Sequence, residues 1–124
     1  MNPLKGLHLM MTLHLWDTLT PERVEEWLTD TPDAIGMTRI TPPSVMGGGT
    51  GLIGFVVIAE SHLSLHQAGM VVWADVFSCQ DFKEQKTLRM TADILRGKLI
   101  AHTSISRVSD PHLGNATRTD REVL

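Results

Sequence analysis

One short segment of the chain carries several side chains that can do chemistry. Residues 59–66, AESHLSLH, place an acid, a serine and two histidines in a stretch that otherwise reads as an apolar strand. Valine or isoleucine would pack more favourably there, because a buried polar group is costly unless it is hydrogen-bonded. Three kinds of site can be built around Ser61 and His66.

The first hypothesis is a metal site. His62 and His66 lie on the same side of an extended chain, and His8 or His14 could supply further imidazoles. These residues match no spaced ligand motif, so the sequence predicts no bound metal.

The second hypothesis is a hydrolase triad of Ser61, His66 and Asp75. Such residues are common in any protein, and the glycine-flanked turn that presents a hydrolase serine is absent from this sequence. The triad is therefore the weakest of the three hypotheses.

The third hypothesis depends on the order Glu60-Ser61. A serine hydroxyl can attack the carbonyl of the preceding peptide bond when the backbone is strained and a base and proton donors are near. The ester can eliminate to a dehydroalanine, which hydrolyses to a pyruvoyl group at a new N-terminus. That carbonyl condenses with a substrate amine and accepts electrons when carbon dioxide leaves. The residues alone allow this chemistry but do not select it.

A resemblance selects it. The segments GLHL (6–9), VVIAESHLSLH (56–66) and ADVFSC (74–79) resemble, in that order, the N-terminal strand and self-processing core of the prokaryotic S-adenosylmethionine decarboxylases. The likeness covers roughly residues 4–107 and is most specific in its centre.

The resemblance implies a role for each of four residues. The Glu60–Ser61 bond would be cleaved, Ser61 would become the pyruvoyl cofactor, and His66 would assist this processing. Cys79 would donate the proton that quenches the carbanion after decarboxylation, a role that suits a thiol because thiols are mostly protonated at neutral pH. The family fold, an α/β sandwich whose protomers dimerise, implies a homodimer here.

Three departures from the family pattern concern the substrate and the processing. The family follows its histidine with a Thr-Trp-Pro-Glu-type segment that helps hold the nucleoside, whereas QAGMVVW follows His66. An ungapped alignment places Gly47 where the family has an aromatic residue that stacks on adenine, and Ile53 where it has a processing serine. Trp73 could supply a ring to the substrate from a neighbouring strand.

The favoured interpretation is a pyruvoyl-dependent amino-acid decarboxylase of polyamine biosynthesis with a smaller substrate, L-ornithine or L-arginine. Asp75 and Asp17 are candidates to hold the distal cation of that substrate. Two alternatives stay open. One is S-adenosylmethionine decarboxylation for spermidine synthesis; the other is an unprocessed regulatory paralogue, which Ile53 favours unless Thr50 or Ser64 replaces the processing serine.

The elements that must position these residues follow from hydrophobic spacing. Alternation and β-branched runs predict strands, and Thr20 as N-cap before Pro21, or Asp81 before Glu84, predicts the start of each helix. The order β-α-β-β-β-α-β predicts an α+β fold, a two-layer α/β sandwich with a mainly antiparallel sheet and two helices on one face. The predicted strands cover residues 7–15, 34–41, 52–59, 69–78 and 99–108, with a first helix at 20–30 and a flexible glycine-rich connection at 44–51. The second predicted helix begins at Asp81 and carries the apolar stripe Leu88, Ala92, Leu95 and Leu99, and Gly97 leaves its end open.

Length and composition limit the remaining possibilities. The 124 residues predict a single domain over 1–109, with a flexible C-terminal tail over 110–124. A net charge of −3 without a basic run argues against nucleic acid as a partner. The longest apolar run is too short for a membrane span and no signal peptide is evident, so we expect a cytoplasmic protein. The single cysteine excludes an internal disulfide.

Overall fold

The computed structural model describes residues 5–108 and 117–122. They form one layer of β-strands and one layer of two helices. The elements are β1 (Lys5–Leu15), α1 (Pro21–Ala34), β2 (Ser44–Met46), β3 (Ile53–Ile58), β4 (Ser61–Ala68), β5 (Val71–Ser78), α2 (Glu84–Leu95), β6 (Gly97–Val108) and β7 (Thr117–Glu122).

The strands form one antiparallel sheet in the order β2-β3-β4-β5-β1-β6-β7. Hairpins join β3 to β4 and β4 to β5, and β1 lies between β5 and β6. The predicted α+β sandwich is confirmed. Because successive side chains point to opposite faces, each strand contributes alternate residues to a helix-covered face and to an open face.

The two faces differ sharply in burial. On β1 the helix face carries Leu9, Met11, Leu13 and Leu15, all buried at 1% exposure or less. The open face carries the alternate residues of the same strand, which are partly or fully exposed. No other layer of the described chain covers the open face. It consists of His8, Met10, Thr12 and His14 on β1 with their cross-strand neighbours on the other strands.

Helix α1 forms as the sequence predicts. The Thr20 side chain accepts a hydrogen bond from the Arg23 backbone N–H at 3.3 Å, and Pro21 occupies the first turn. The Trp27 indole N–H donates to the Thr91 hydroxyl at 2.9 Å, which joins the two helices in the core. The helix packs closely on the sheet at Gly54, where any Cβ would meet a Val24 methyl at 2.5 Å; Val24, Trp27 and Leu28 are all buried.

Helix α2 differs from the prediction at its start. Its N-cap residue is Lys83, without a side-chain capping bond, so the expectation that Asp81 caps the helix is wrong. The helix ends at Leu95, where Arg96 adopts a left-handed φ of 55°. Gly97 then begins β6 in close contact with β1, since a Cβ there would lie 3.1 Å from the His14 carbonyl oxygen.

The edges of the sheet also differ from the prediction. The sequence predicts a strand at residues 34–41, but this segment makes only an isolated bridge, from Arg39 to Ile58. Its first residues instead continue from the helix, because the N–H groups of residues 35 and 37 donate to carbonyls in the last turn of α1. The first edge strand is β2, inside the segment predicted to be a flexible connection. Within the predicted tail, residues 117–122 pair with β6 as β7. Residues 109–116 and 123–124 lie outside the described residues.

Candidate active site

The peptide bond before Ser61 lies in a strained turn. Ala59 and Glu60 join β3 to β4, with Ile58 and Ser61 paired across the turn. Glu60 has a φ of 58°, in the left-handed region that favours glycine. For a residue with a Cβ this conformation costs about 1 kcal/mol, so the turn stores strain next to the Glu60–Ser61 bond.

The Ser61 hydroxyl is held by a backbone donor. Ser61 is 7% exposed, and its Oγ accepts a hydrogen bond from the Cys79 N–H at 3.3 Å. An N–H aimed at a hydroxyl oxygen stabilises the negative charge that develops when the hydroxyl loses its proton. The hydrogen bond therefore favours the nucleophilic form of Ser61.

The same contact brings Cys79 to the site. Cys79 directly follows β5, and the β4–β5 pairing of His62 with Phe77 sets the start of β4 beside the end of β5. The thiol is free and exposed. Of the residues predicted to do chemistry, the structure thus brings together Glu60, Ser61 and Cys79.

His66 lies elsewhere in the same chain. Ser61 points to the helix face of β4 and His66 to the open face, about 16 Å further along the strand. The His66 ring contacts the Trp73 indole edge-to-face at 6.1 Å, and its partner on β3 is Ile53. A triad of Ser61, His66 and Asp75 is incompatible with this placement, because Asp75 is also on the open face.

A row of aromatic rings crosses the open face beside residue 61. His62 stacks between Phe55 at 5.8 Å and Phe77 at 5.5 Å between ring centroids. The Arg107 guanidinium lies 5.3 Å from the Phe77 centroid, within range of a cation–π interaction. Sequence reasoning missed Phe77 and Arg107, since their contact depends on the pairing of β5 and β6 with β1.

Next to this row the open face has a depression of about 360 Å³. Asp75 supplies the carboxylate among its described lining residues, and Trp73 supplies an indole that is 47% exposed. The Asp75 Oδ2 lies 3.4 Å from Nε2 of His8. The remaining lining residues are Met10, Met11, Thr12, Ala101, His102 and Thr103.

Comparison with known proteins identifies the family of the chain. A family model described as S-adenosylmethionine decarboxylase matches residues 11–108, which include Ser61, Cys79 and strands β2 to β6. The chain belongs to the S-adenosylmethionine decarboxylase family. This is a family of decarboxylases of polyamine biosynthesis. No curated protein matches the chain.

Gly47, the residue predicted at the family's adenine-stacking position, lies where the loop has no room for a side chain. Gly47 has a φ of 88°, and a Cβ built there would lie 2.4 Å from the Gly51 carbonyl oxygen. The loop after β2 therefore requires glycine at this position. An S-adenosylmethionine decarboxylase of this loop conformation must bind its substrate without a stacking ring from residue 47.

Asp17 is not part of the site. It follows β1 at the end opposite to His8 and the start of β4. Its carboxylate lies 3.3 Å from the Arg96 guanidinium and 3.5 Å from that of Arg23. The Thr18 backbone N–H, then Arg96 and Arg23, hold the pKa of Asp17 below its usual value. Asp75, in contrast, lies in the depression with Trp73.

The described residues form neither a metal-ligand cluster nor a membrane-spanning helix. Residues 5–108 and 117–122 contain no group of three His, Cys, Asp or Glu side chains arranged to hold a metal ion. His62 and His66 share the open face as predicted, but His14 lies at the far end of β1. In the same part of the chain, neither helix has the length and apolar character needed to span a membrane.

Proposed function

We propose that this member of the S-adenosylmethionine decarboxylase family is a self-processing, pyruvoyl-dependent decarboxylase of a basic amino acid, L-ornithine or L-arginine. One observation carries the proposal. A left-handed Glu60 precedes Ser61, and the Ser61 hydroxyl accepts the Cys79 N–H at 3.3 Å. Strain at the bond to be broken and a donor on the nucleophile favour self-cleavage of this bond, which also needs a base.

The chain's own residues carry out the processing. Ser61 Oγ adds to the Glu60 carbonyl carbon, and the Glu60–Ser61 C–N bond breaks to give an ester and a free amine. Loss of the Ser61 α-proton expels the Glu60 carboxylate and leaves a dehydroalanine at residue 61. Water then replaces its nitrogen, which leaves as ammonia. Residues 1–60 and 61–124 become separate chains, and residue 61 keeps a carbonyl.

The site fits the cofactor formed in this way. The pyruvoyl group supplies an electron sink for the loss of carbon dioxide from an α-amino acid. The exposed Cys79 thiol belongs to the residue whose backbone N–H bonds to Ser61, so it is placed to deliver a proton to the carbon that loses the carboxylate. The N–H of Cys79 remains a donor towards residue 61.

The depression on the open face favours a basic substrate. Asp75 offers a charge, and Trp73 offers a ring face that attracts cations. Asp75 pairs with Ser64 on β4 and lies on the open face, whereas Ser61 points to the helix face, so the two do not face each other within one chain. We therefore propose that the depression of one protomer holds the distal cation of a substrate bound at residue 61 of a second protomer. Gly47, at the position where the family resemblance expects an adenine-stacking ring, supplies none, which disfavours a nucleoside substrate.

A homodimer would complete the processing machinery. His66 and Ile53, the two family processing positions, are cross-strand neighbours on the open face and cannot reach Ser61 of their own chain. Four large apolar side chains on that face are between 41% and 61% exposed, which is typical of an interface. They are Met46, Ile53, Phe55 and Trp73. We propose that two protomers pair through these apolar side chains, so that His66 of one protomer approaches the Glu60–Ser61 turn of the other from the end of β4, because Ser61 itself points to the helix face.

One observation favours a second candidate function. Ile53, an aliphatic residue, lies beside His66 where the family has a serine, and an alkyl group cannot relay a proton. A chain that has lost self-cleavage would be an unprocessed regulatory paralogue that binds an active subunit. The strained Glu60 and the Ser61 hydrogen bond are the features that favour an active proenzyme over this alternative.

Intact mass and substrate assays separate these candidates. Under denaturing conditions the proposal expects two fragments, 1–60 and 61–124, with the second lighter than its serine form by one ammonia. Carbon dioxide release is then measured from ornithine, arginine and S-adenosylmethionine side by side. Turnover of S-adenosylmethionine alone would refute the basic substrate, and a chain that remains intact on long incubation would support the regulatory paralogue.

The strain at Glu60 has its own test. Both glycine variants are made in the uncleaved Ser61→Ala chain. The free energy of unfolding of Glu60→Gly should be about 1 kcal/mol higher than that of the matched control Ala59→Gly. Glycine adopts the positive φ of residue 60 freely, whereas Ala59 has no positive φ to relieve. Urea unfolding measures this difference. With Ser61 present, Glu60→Gly should slow cleavage about fivefold, since about 1 kcal/mol of strain is lost. Equal stabilities of the two glycine variants would show that residue 60 is unstrained.

A further inference from the structure

His8 contacts the proposed cation subsite without a role in the chemistry described above. It lies on the open face of β1, with Nε2 3.4 Å from Oδ2 of Asp75. The two side chains are 24% and 36% exposed. His8 Nε2 is itself buried and has no hydrogen-bond partner among the described residues, so the contact is a close approach of an imidazole nitrogen to a carboxylate oxygen and not a formed hydrogen bond.

Among the side chains that the structure describes, Asp75 is the acid that contacts His8. Its ring packs edge-to-face on Phe77 at 6.0 Å. Beyond Phe77 lie the other titratable and charged side chains of this region, His62 from β4 and Arg107 from β6. Both are cationic or become so on protonation, so Asp75 is the group that a protonated His8 would pair with.

We propose that His8 is a positioning residue that controls the access of a substrate cation to Asp75; this inference rests on the proposed function. When His8 is neutral, the Asp75 carboxylate faces the depression with its full charge and binds the distal ammonium or guanidinium. When His8 is protonated, its own charge neutralises Asp75 from 3.4 Å and competes with the substrate. Binding then depends on the protonation of a residue that touches neither the α-carbon nor the cofactor.

The expected consequence is a pH-dependent affinity. Imidazole changes its charge between about pH 5 and 8, so a cation should bind more tightly as the pH rises through that range. Between pH ~5.5 and pH ~7.5 we expect an increase of about tenfold, the size of one unit-charge interaction over this distance at the dielectric constant of water. In the active enzyme the change should fall on KM and leave kcat at saturating substrate nearly constant.

The experiment measures binding apart from catalysis. Putrescine, a diamine without a carboxylate, is titrated by calorimetry into the uncleaved Ser61→Ala chain at both pH values. The same titration is made with Asp75→Asn, with His8→Gln and with His14→Gln added to that chain. His14 is the matched control, because it lies on the same strand and face but at the far end of β1.

Each outcome has one meaning. The inference expects about tenfold tightening with pH in the parent chain and in His14→Gln, no change with pH in His8→Gln, and no binding in Asp75→Asn. An unchanged pH response in His8→Gln overturns the role of His8, and wild-type turnover of ornithine or arginine would show that the proposed function survives. If the parent chain binds no putrescine and the wild type turns over neither amino acid, the basic substrate is wrong and the role of His8 falls with it.

Discussion

Replacing Ser61 with alanine is expected to leave one intact chain of residues 1–124 and to remove decarboxylase activity completely. Alanine has no oxygen to attack the Glu60 carbonyl, and no pyruvoyl carbonyl can form from it. The loss should reach the detection limit, because removal of the group that carries a covalent step costs a factor of about 10⁶ in well-studied enzymes. Intact mass and carbon dioxide release measure the two effects.

The matched control is Ser44→Ala, which removes the same hydroxyl from an exposed position on edge strand β2. This control should cleave and turn over substrate like the wild type. Circular dichroism and urea unfolding should show that Ser61→Ala remains folded, since the variant loses a single hydrogen bond to the Cys79 N–H, worth about 1 kcal/mol. Cleavage that persists in Ser61→Ala would place the scissile bond elsewhere in the chain and would overturn the proposed chemistry.

The proximity of Ser61 to Cys79 was within reach of sequence reasoning. The apolar runs around Glu60 and around Gly69 predict two successive hairpins, and antiparallel pairing then brings the start of β4 to the end of β5. Motif resemblance had already selected the same residues. What the sequence could not show is the left-handed φ of Glu60, because it depends on the turn length that both hairpin registers impose.

The separation of Ser61 from His66 also follows from simple periodicity. Residues an odd number of positions apart point to opposite faces of a strand, so residues 61 and 66 cannot share a face of β4. The family resemblance assigned both to one reaction, and the strand geometry places them on different surfaces. The proposed dimer would reconcile the two, with the histidine of one chain acting on the other.

The edge elements were beyond sequence reasoning for a different reason. β2 is only three residues long and β7 has no apolar residue, and both are defined by backbone bonds to a neighbouring strand that already exists. Likewise, the glycine at residue 47 looks like part of a flexible run until the close approach to Gly51 is seen. Local patterns predict elements that bury a face, whereas strands at the edge of a sheet depend on what the rest of the fold offers.

The two-chain origin of the processing site has a direct test in subunit complementation. Alone, Ser61→Ala has no nucleophile, and His66→Ala should cleave slowly or not at all. Co-expressed with separable tags, the two variants form mixed dimers in which the intact Ser61 of one chain meets the intact His66 of the other. If random pairing gives mixed dimers, about half of the His66→Ala chains should be cleaved. Mass spectrometry of each tagged chain measures the fraction.

The matched control replaces His66→Ala by His14→Ala, which should cleave fully on its own and gain nothing from the Ser61→Ala partner. If His66 acts within its own chain, the mixture should show no cleavage of the His66→Ala chains. The strand β4 would then have to rearrange, because Ser61 and His66 lie on its opposite faces. Cleavage of His66→Ala at the wild-type rate without a partner would instead mean that His66 has no part in processing. Cleavage of His66→Ala that appears only on co-expression with Ser61→Ala would support one dimeric site, built from the exposed apolar face, Ser61 of one chain and His66 of the other.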